Sequence, residues 1–197
     1  MMDDLKLDGL QFMGENLRDK VKYCGEGVKL YPLCKMIHPS TAELDDHCQI
    51  MDYAFIDSGE SLKLGKYSTV TWHCVIEGGA KTIIGDRVFL GPGAKLLNST
   101  YELDGYYAIE HILDDCRATR YGDIIIHDDA YIGANSTVLP GVTIGEGAVV
   151  GANSLVDRKL KPWGIYFGTP VKLIGMREQP TEERRKLLET MDWSNHL

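Results

Sequence analysis

The chain has 197 residues, a length suited to one domain, and 44% of them are hydrophobic, so a core is available. A formal net charge of −8 with no Lys/Arg-rich run argues against nucleic acid or an anionic membrane as a partner. No apolar run approaches a membrane span and MMDDLKLDGL is not a signal peptide, while five scattered cysteines without a CxxC point to a reducing cytoplasm and no disulfide frame.

Residues 1–36 stand outside the pattern that follows. GLQFMGENLRDKVKYCGEG offers a weak helix or strand and then a Gly-bounded turn, and the segment is expected to cap an exposed end or to join a subunit contact. From about Ile37 an apolar residue recurs every six positions. Leu44, Ile50, Ile56 and Leu62 give a weak version, and Leu64, Val70 and Ile76 a clearer one, with Ser68 and Cys74 in small-residue slots. Ile84 and Leu90 resume the phase after a two-residue insertion, with Val88 and Ala94 as small partners. Cys74 in such a slot reads as packing rather than as a nucleophile.

The pattern breaks at about 98–122, NSTYELDGYYAIEHILDDCRATRYG, which carries four tyrosines, several carboxylates, His111, Arg117 and Arg120. Long insertions in a regular array are either tolerated bulges or binding loops, and the aromatic content favours binding. The strongest stretch then runs from Ile126 to Lys161 as IHDDAY, IGANST, VLPGVT, IGEGAV, VGANSL, VDRKLK. Branched aliphatics occupy every first position, and mostly small residues every fifth. Neither a helix (period 3.6) nor a plain strand (period 2) imposes a period of six; a parallel β-helix does. An ordinary parallel sheet would need helix-length crossovers, and none separates these runs. The repeat yields to KPWGIYFGTPVKLIGMREQ, and Thr181 is then placed to N-cap a helix with Glu182 and Glu183 in its first turn. Leu187, Leu188 and Met191 give that helix a narrow apolar stripe for packing on the coil or on a neighbouring subunit. The expected organisation is a cap (1–36), a β-helix domain (37–177, coils ending near Lys161) and a helical tail (178–197).

The tandem hexads, with IGDRVFLGPGAKLL, YELDG, YIGANSTVLPGVTIGEGAVVGANSLV and GTPVKLIG, resemble the left-handed β-helix, hexapeptide-repeat acyltransferases. The branch with galactoside, xenobiotic and surface-polysaccharide sugar acetyltransferases is the most similar. The resemblance covers about Ile37 to Arg177. It implies the left-handed coil, a homotrimer with active sites between subunits, and acetyl-CoA as co-substrate along the C-terminal coils. Matching motifs imply that Ala134 and Ala152 let a pantetheine arm lie against the backbone. They also imply that Arg158, Lys172 and Arg177 lie near the CoA phosphates. The turn preference of the repeat accounts for both alanines equally well. Relatives carry a catalytic histidine in His-x-x-Asp-Gly; here the segment is Tyr101-Glu102-Leu103-Asp104-Gly105, so tyrosine stands in the histidine slot. A phenol with pKa near ~10 is a poor base at neutral pH. The base has then moved to Glu102, His111 or His73, or the acceptor is an amine that attacks once neutral, or the chain binds without catalysis.

His73, in VTWHCV, falls on a coil facing the family's acceptor pocket, and Thr71, Tyr106, Arg117 and Arg120 are the expected acceptor contacts. The leading function is N-acetylation of a nucleotide-linked amino sugar in surface polysaccharide synthesis. O-acetylation of a sugar or small hydroxyl compound is the enzymatic alternative, and a non-catalytic β-helix subunit the alternative of another class. A coil of this kind that held a metal would need three convergent histidines; without a close histidine pair, no metal is expected.

Overall fold

The structure, a computed structural model, describes residues 10–102 and 119–191. Its strands stack in three parallel sheets, the faces of a triangular left-handed β-helix of about six turns. On the second face Lys29, Gln49, Thr69, Phe89, Tyr131, Val149 and Ile165 lie in register one above the next. Successive turns therefore take 20 residues up to Phe89, and 18 from Tyr131 to Val149.

The two-residue difference has a simple origin. Strands Ser61–Leu64 and Lys81–Ile84 on the first face are four residues long, and each sends two side chains inward, Leu62 with Leu64 and Thr82 with Ile84. Residues two apart on a strand share a face. Each such turn is two hexads and an octad, which is why the early six-residue phase slips. In the C-terminal turns the hexads run unbroken, and Ile126, Ile132, Val138, Ile144, Val150 and Val156 are all buried. The small slots beside them include buried serines whose hydroxyls are satisfied. Ser136 donates to Gly151 O at 2.9 Å and accepts from Ser154 N at 3.2 Å; Ser154 in turn accepts from Gly168 N at 3.1 Å.

The coil begins earlier than the hexads suggested. Tyr23–Cys24 pairs with Glu43 and Leu44, and Lys29–Leu30 and Lys35–Ile37 pair with the next turn in the same way, so the first turn lies inside the segment read as a cap. Cys24, Leu30 and Met36 keep the six-residue spacing, but none is β-branched and the phase is hard to see. The cap proper is two short 3₁₀ turns, Leu10–Phe12 and Gly14–Leu17, with Leu17 fully buried on the open end.

Three edges join the faces. Edge A follows the first face and includes His47, Tyr67, Arg87, Asp129, Gly147 and Trp163. Edge B follows the second and includes Tyr53, His73, Gly93, Asn135 and Asn153. All of these residues have left-handed φ, the conformation that turns the chain within a few residues. The turns are tied from coil to coil, as where Asn135 N donates to Pro92 O and Asn153 N to Ala134 O.

Edge C follows the third face and carries the insertion. Ser99–Tyr101 pairs antiparallel with Thr119–Tyr121, and Gly122 N donates to Asn98 O at 3.0 Å where this ribbon leaves the coil. At the C-terminal end Gly164–Phe167 stacks on the last turn and pairs antiparallel with Lys172–Met176. Helix Glu182–Thr190 follows, with the Thr181 hydroxyl accepting from Arg184 N at 3.4 Å. Of the apolar stripe, Leu188 and Met191 face a groove along edge A, whereas Leu187 is exposed. No helix among the described residues is long and apolar enough to cross a membrane.

Because each turn touches only its neighbours, a cavity in a central turn is met by little relaxation from elsewhere. Ile132→Ala is expected to cost about 2–5 kcal/mol, read as a lowered urea midpoint at unchanged slope.

Candidate active site

Edge B changes character along its length. On the last two turns it is made of small and amide residues, Gly133-Ala134-Asn135 and Gly151-Ala152-Asn153. A side chain at either glycine would clash: a Cβ on Gly133 would lie 2.5 Å from Ala152 N in the next turn, and one on Gly151 would strike the Phe167 ring. One turn earlier the edge is Pro92-Gly93, and Gly93 takes the left-handed position with no side chain. The two turns before that present Trp72 and His73, then Asp52 and Tyr53. Strand spacing of about 4.8 Å per turn puts Trp72 about 14 Å along the edge from Ala152. Edge B is thus a smooth backbone track that ends in a wall of rings.

The wall is ordered. His73 and Tyr53 stack with ring centroids 5.1 Å apart and planes 7° from parallel. Trp72 and Tyr53 are 48% and 58% exposed, large fractions for aromatic residues held on a rigid coil. With Tyr31, Met51 and Asp52 they line a groove of about 360 Å³.

The other end of the track meets the C-terminal hairpin. Its turn sits on the last edge B corner, with Thr169 Oγ1 donating to Asn153 O at 3.1 Å and Val171 N to Leu155 O at 2.9 Å. Lys172 follows directly, exposed and opposite Phe167. Ala134, Ala152 and Lys172 therefore share one edge with His73.

The other expected phosphate contacts lie elsewhere. Arg158 is on edge C and forks onto Asp157 through two bonds of 2.7 and 2.8 Å, which holds the Asp157 carboxyl below its usual range. Arg177 is on edge A, with its guanidinium 5.6 Å from the Trp163 ring and donating to Asp129 O at 3.0 Å and Gly147 O at 3.3 Å. Thr71 is also removed from the surface: it is buried, and its hydroxyl donates to Leu90 O at 2.6 Å.

The insertion brings a second group. Tyr101 and Arg120 lie on its paired strands and Glu102 follows Tyr101, all at edge C, one face away from His73. The ribbon is anchored by Asn98, whose Nδ2 donates to Ala80 O and Thr82 Oγ1 at 3.0 Å each, and by Ser99, whose hydroxyl donates to Glu77 at 3.1 Å. Tyr106, His111 and Arg117 lie outside the described residues. Among the described residues no group of three or more His, Cys, Asp or Glu side chains is arranged to hold a metal.

Sequence reasoning singled out His73 in VTWHCV but passed over its neighbour Trp72, and with it Tyr53 and Asp52. The signal was the 20-residue turn: 52, 72 and 92 occupy one column, and that spacing is visible once the octads are counted.

Burial also settles the thiols. It raises the pKa of Cys74 and pushes Cys34 up to about 11, and it raises Cys48 further, so none supplies a thiolate at neutral pH. Labelling the folded protein with a disulfide reagent at pH 8 is expected to modify half-buried Cys24 ahead of Cys34, Cys48 and Cys74. Those three should react only after unfolding; fast labelling of Cys74 in the folded state would show that the small-slot column opens.

Residues 123–158 match the family model "Bacterial transferase hexapeptide (six repeats)". The chain is 31% identical over 129 residues to "Probable macrolide acetyltransferase" of Lysinibacillus sphaericus, covering 59% of this chain and 71% of that protein. Several other curated acetyltransferases match over 54–56% of their own length. Among solved structures, AntD, an N-acyltransferase from Bacillus cereus in complex with dTDP and 3-hydroxybutyryl-CoA, superposes with a TM-score of 0.78 at 25% identity. That superposition covers 91% of this chain and 93% of AntD. The hexapeptide-repeat acetyltransferase VCA0836 of Vibrio cholerae O1 biovar eltor, in complex with acetyl coenzyme A, gives 0.58 at 27% identity over 89% of this chain and 84% of that one.

Proposed function

The chain belongs to the hexapeptide-repeat acetyltransferases, and from that premise we propose that it moves an acetyl group from acetyl-CoA to the amino group of a nucleotide-linked sugar, as a step in surface polysaccharide synthesis. The observation that carries this reading is the track on edge B. A flat wall of Gly and Ala backbone accommodates an amide-containing pantetheine arm, Lys172 stands at one end for the phosphates, and His73 stands at the other for the acceptor. A nucleotide-linked amine is supported by the ligands of the Bacillus cereus N-acyltransferase, an acyl-CoA and dTDP. Free cysteines, with no disulfide among the described residues, fit the cytoplasm as the place of reaction.

The chemistry asks little of the protein. The neutral amine attacks the thioester carbonyl, the C–S bond breaks, and the amine's proton passes to the thiolate that leaves as CoA. In this reading His73 takes that proton and returns it to sulfur. Holding thioester and amine on one rigid edge supplies the larger part of the acceleration. The proposed assembly is a homotrimer, in which the edge C ribbon of one subunit and edge B of a neighbour close over the acceptor.

Two measurements test this. Thiol release from acetyl-CoA against a panel of amino sugars and nucleotide-linked amino sugars should find turnover. In that assay Lys172→Glu should raise KM for acetyl-CoA about 10- to 100-fold, the worth of a charged hydrogen bond. Arg158→Glu should leave that KM within about threefold, because edge C lies off the track. Equal effects of the two substitutions would remove edge B as the cofactor line.

The second measurement is the pH profile of kcat/KM from pH 6 to 9. It should follow deprotonation of the acceptor amine, with His73→Asn costing about 10²-fold or more and Tyr101→Phe much less. Asn suits the left-handed backbone there, as Asn135 and Asn153 do on later turns, so the fold survives the change. A thousandfold loss confined to Tyr101→Phe would move the proton transfer to the ribbon.

A further inference from the structure

The groove beyond His73 lies further along edge B than the proposed transfer point, and proton transfer needs only the histidine. Yet five more side chains build it: Tyr31, Met51, Asp52, Tyr53 and Trp72. Two features give it a chemistry. The first is its aromatic lining. Tyr53 and His73 are stacked on one another, 7° from parallel, and Trp72 stands exposed beside His73 on the rigid coil. The second is Asp52. One carboxylate oxygen, Oδ1, accepts from Leu33 N at 2.8 Å and fixes the side chain, while Oδ2 has no partner among the described residues. An aromatic-lined slot with one fixed, open acceptor suits a planar heteroaromatic ring that carries an N–H on its edge.

We infer that the Tyr53–Trp72 groove is the base-binding subsite of the acceptor: the nucleobase of a nucleoside diphosphate sugar stacks on Trp72, packs against Tyr53 and donates an N–H to Asp52 Oδ2. This rests on the proposed nucleotide-linked acceptor and adds which part of that substrate is held, and by which side chains. In this arrangement the sugar amine lies between the groove and Gly93, beside His73 and at the end of the thioester's track.

The test uses the intact protein and its tryptophan fluorescence. UDP, dTDP and GDP are titrated separately, with ribose 5-phosphate as the control and CoA binding followed in parallel by calorimetry. At least one nucleoside diphosphate is expected to quench emission saturably, and ribose 5-phosphate is not. Trp72→Phe should abolish the quench yet keep the acceptor KM within about threefold, since a ring remains. Trp72→Ala and Tyr53→Asn should each raise acceptor KM about tenfold or more, in line with the loss of one aromatic contact, with CoA affinity nearly unchanged in both and kcat nearly unchanged in Trp72→Ala. Tyr53→Asn introduces the residue that the last turns carry at this corner, so a folding defect does not confuse the result. Turnover of a nucleotide-linked amine with KM unmoved by both variants would overturn this inference while leaving the proposed function intact. Turnover of free amino sugars alone, with no nucleotide binding, would sink both. Trp72 emission that is shielded from iodide in the unliganded protein and unmoved by every nucleotide would assign the groove to a subunit contact and overturn the inference as well.

Discussion

Successive turns are held together by backbone hydrogen bonds, and that ladder forms only if the chain turns a corner at the same place on every lap. Most corners therefore hold a residue in the left-handed region, and each lap needs an inward side chain of matching reach. Where both conditions hold, as from Tyr131 to Val156, the prism is regular and its inward side chains are buried. Hydrophobic burial fills the interior, but the corner geometry sets the register and so decides which outward side chains fall in line.

That alignment gives the site its form. On an ordinary α/β scaffold, functional residues are collected from loops at one end of a sheet. Here they come from equivalent corners of consecutive laps, at a pitch of about 4.8 Å. A ligand that lies along edge B meets Ala152, Ala134, Gly93 and His73 in that order, with no loop needing to move. The edge C ribbon departs from the lattice between consecutive turns, and it leaves the coil where Asn98 and Gly122 pinch the chain closed.

Much of this could be read from the amino acids, and the gaps have physical causes. Six-residue spacing of β-branched residues announced the solenoid, because neither a helix nor an ordinary strand repeats its inward pattern every six residues. The first turn was missed because Cys24, Leu30 and Met36 fill the inward slots with residues that are not β-branched. Arg158 was grouped with Ala152, although one hexad advances the chain by one face and so places residue 158 on the next edge. Lys172 and Arg177 lie where the hexads have ended and spacing no longer measures position; only the hairpin from Gly164 to Met176 shows that they stand on different edges. Trp72 escaped notice because its column repeats at 20 residues rather than 18.

The corners of edge B have one duty to the fold, which is to bend, and Gly, Asn, His and Tyr all perform it there. Their side chains project from a backbone that stays the same whichever residue is present. The edge therefore works as a row of sockets at fixed pitch, in which a ring, an amide or an empty space can be exchanged on one lap without disturbing the laps on either side. A scaffold of this kind separates the vocabulary of recognition from the grammar of folding. Descendants of such a chain could acquire new acceptors by changing a few corner residues while the prism beneath them stays as it is.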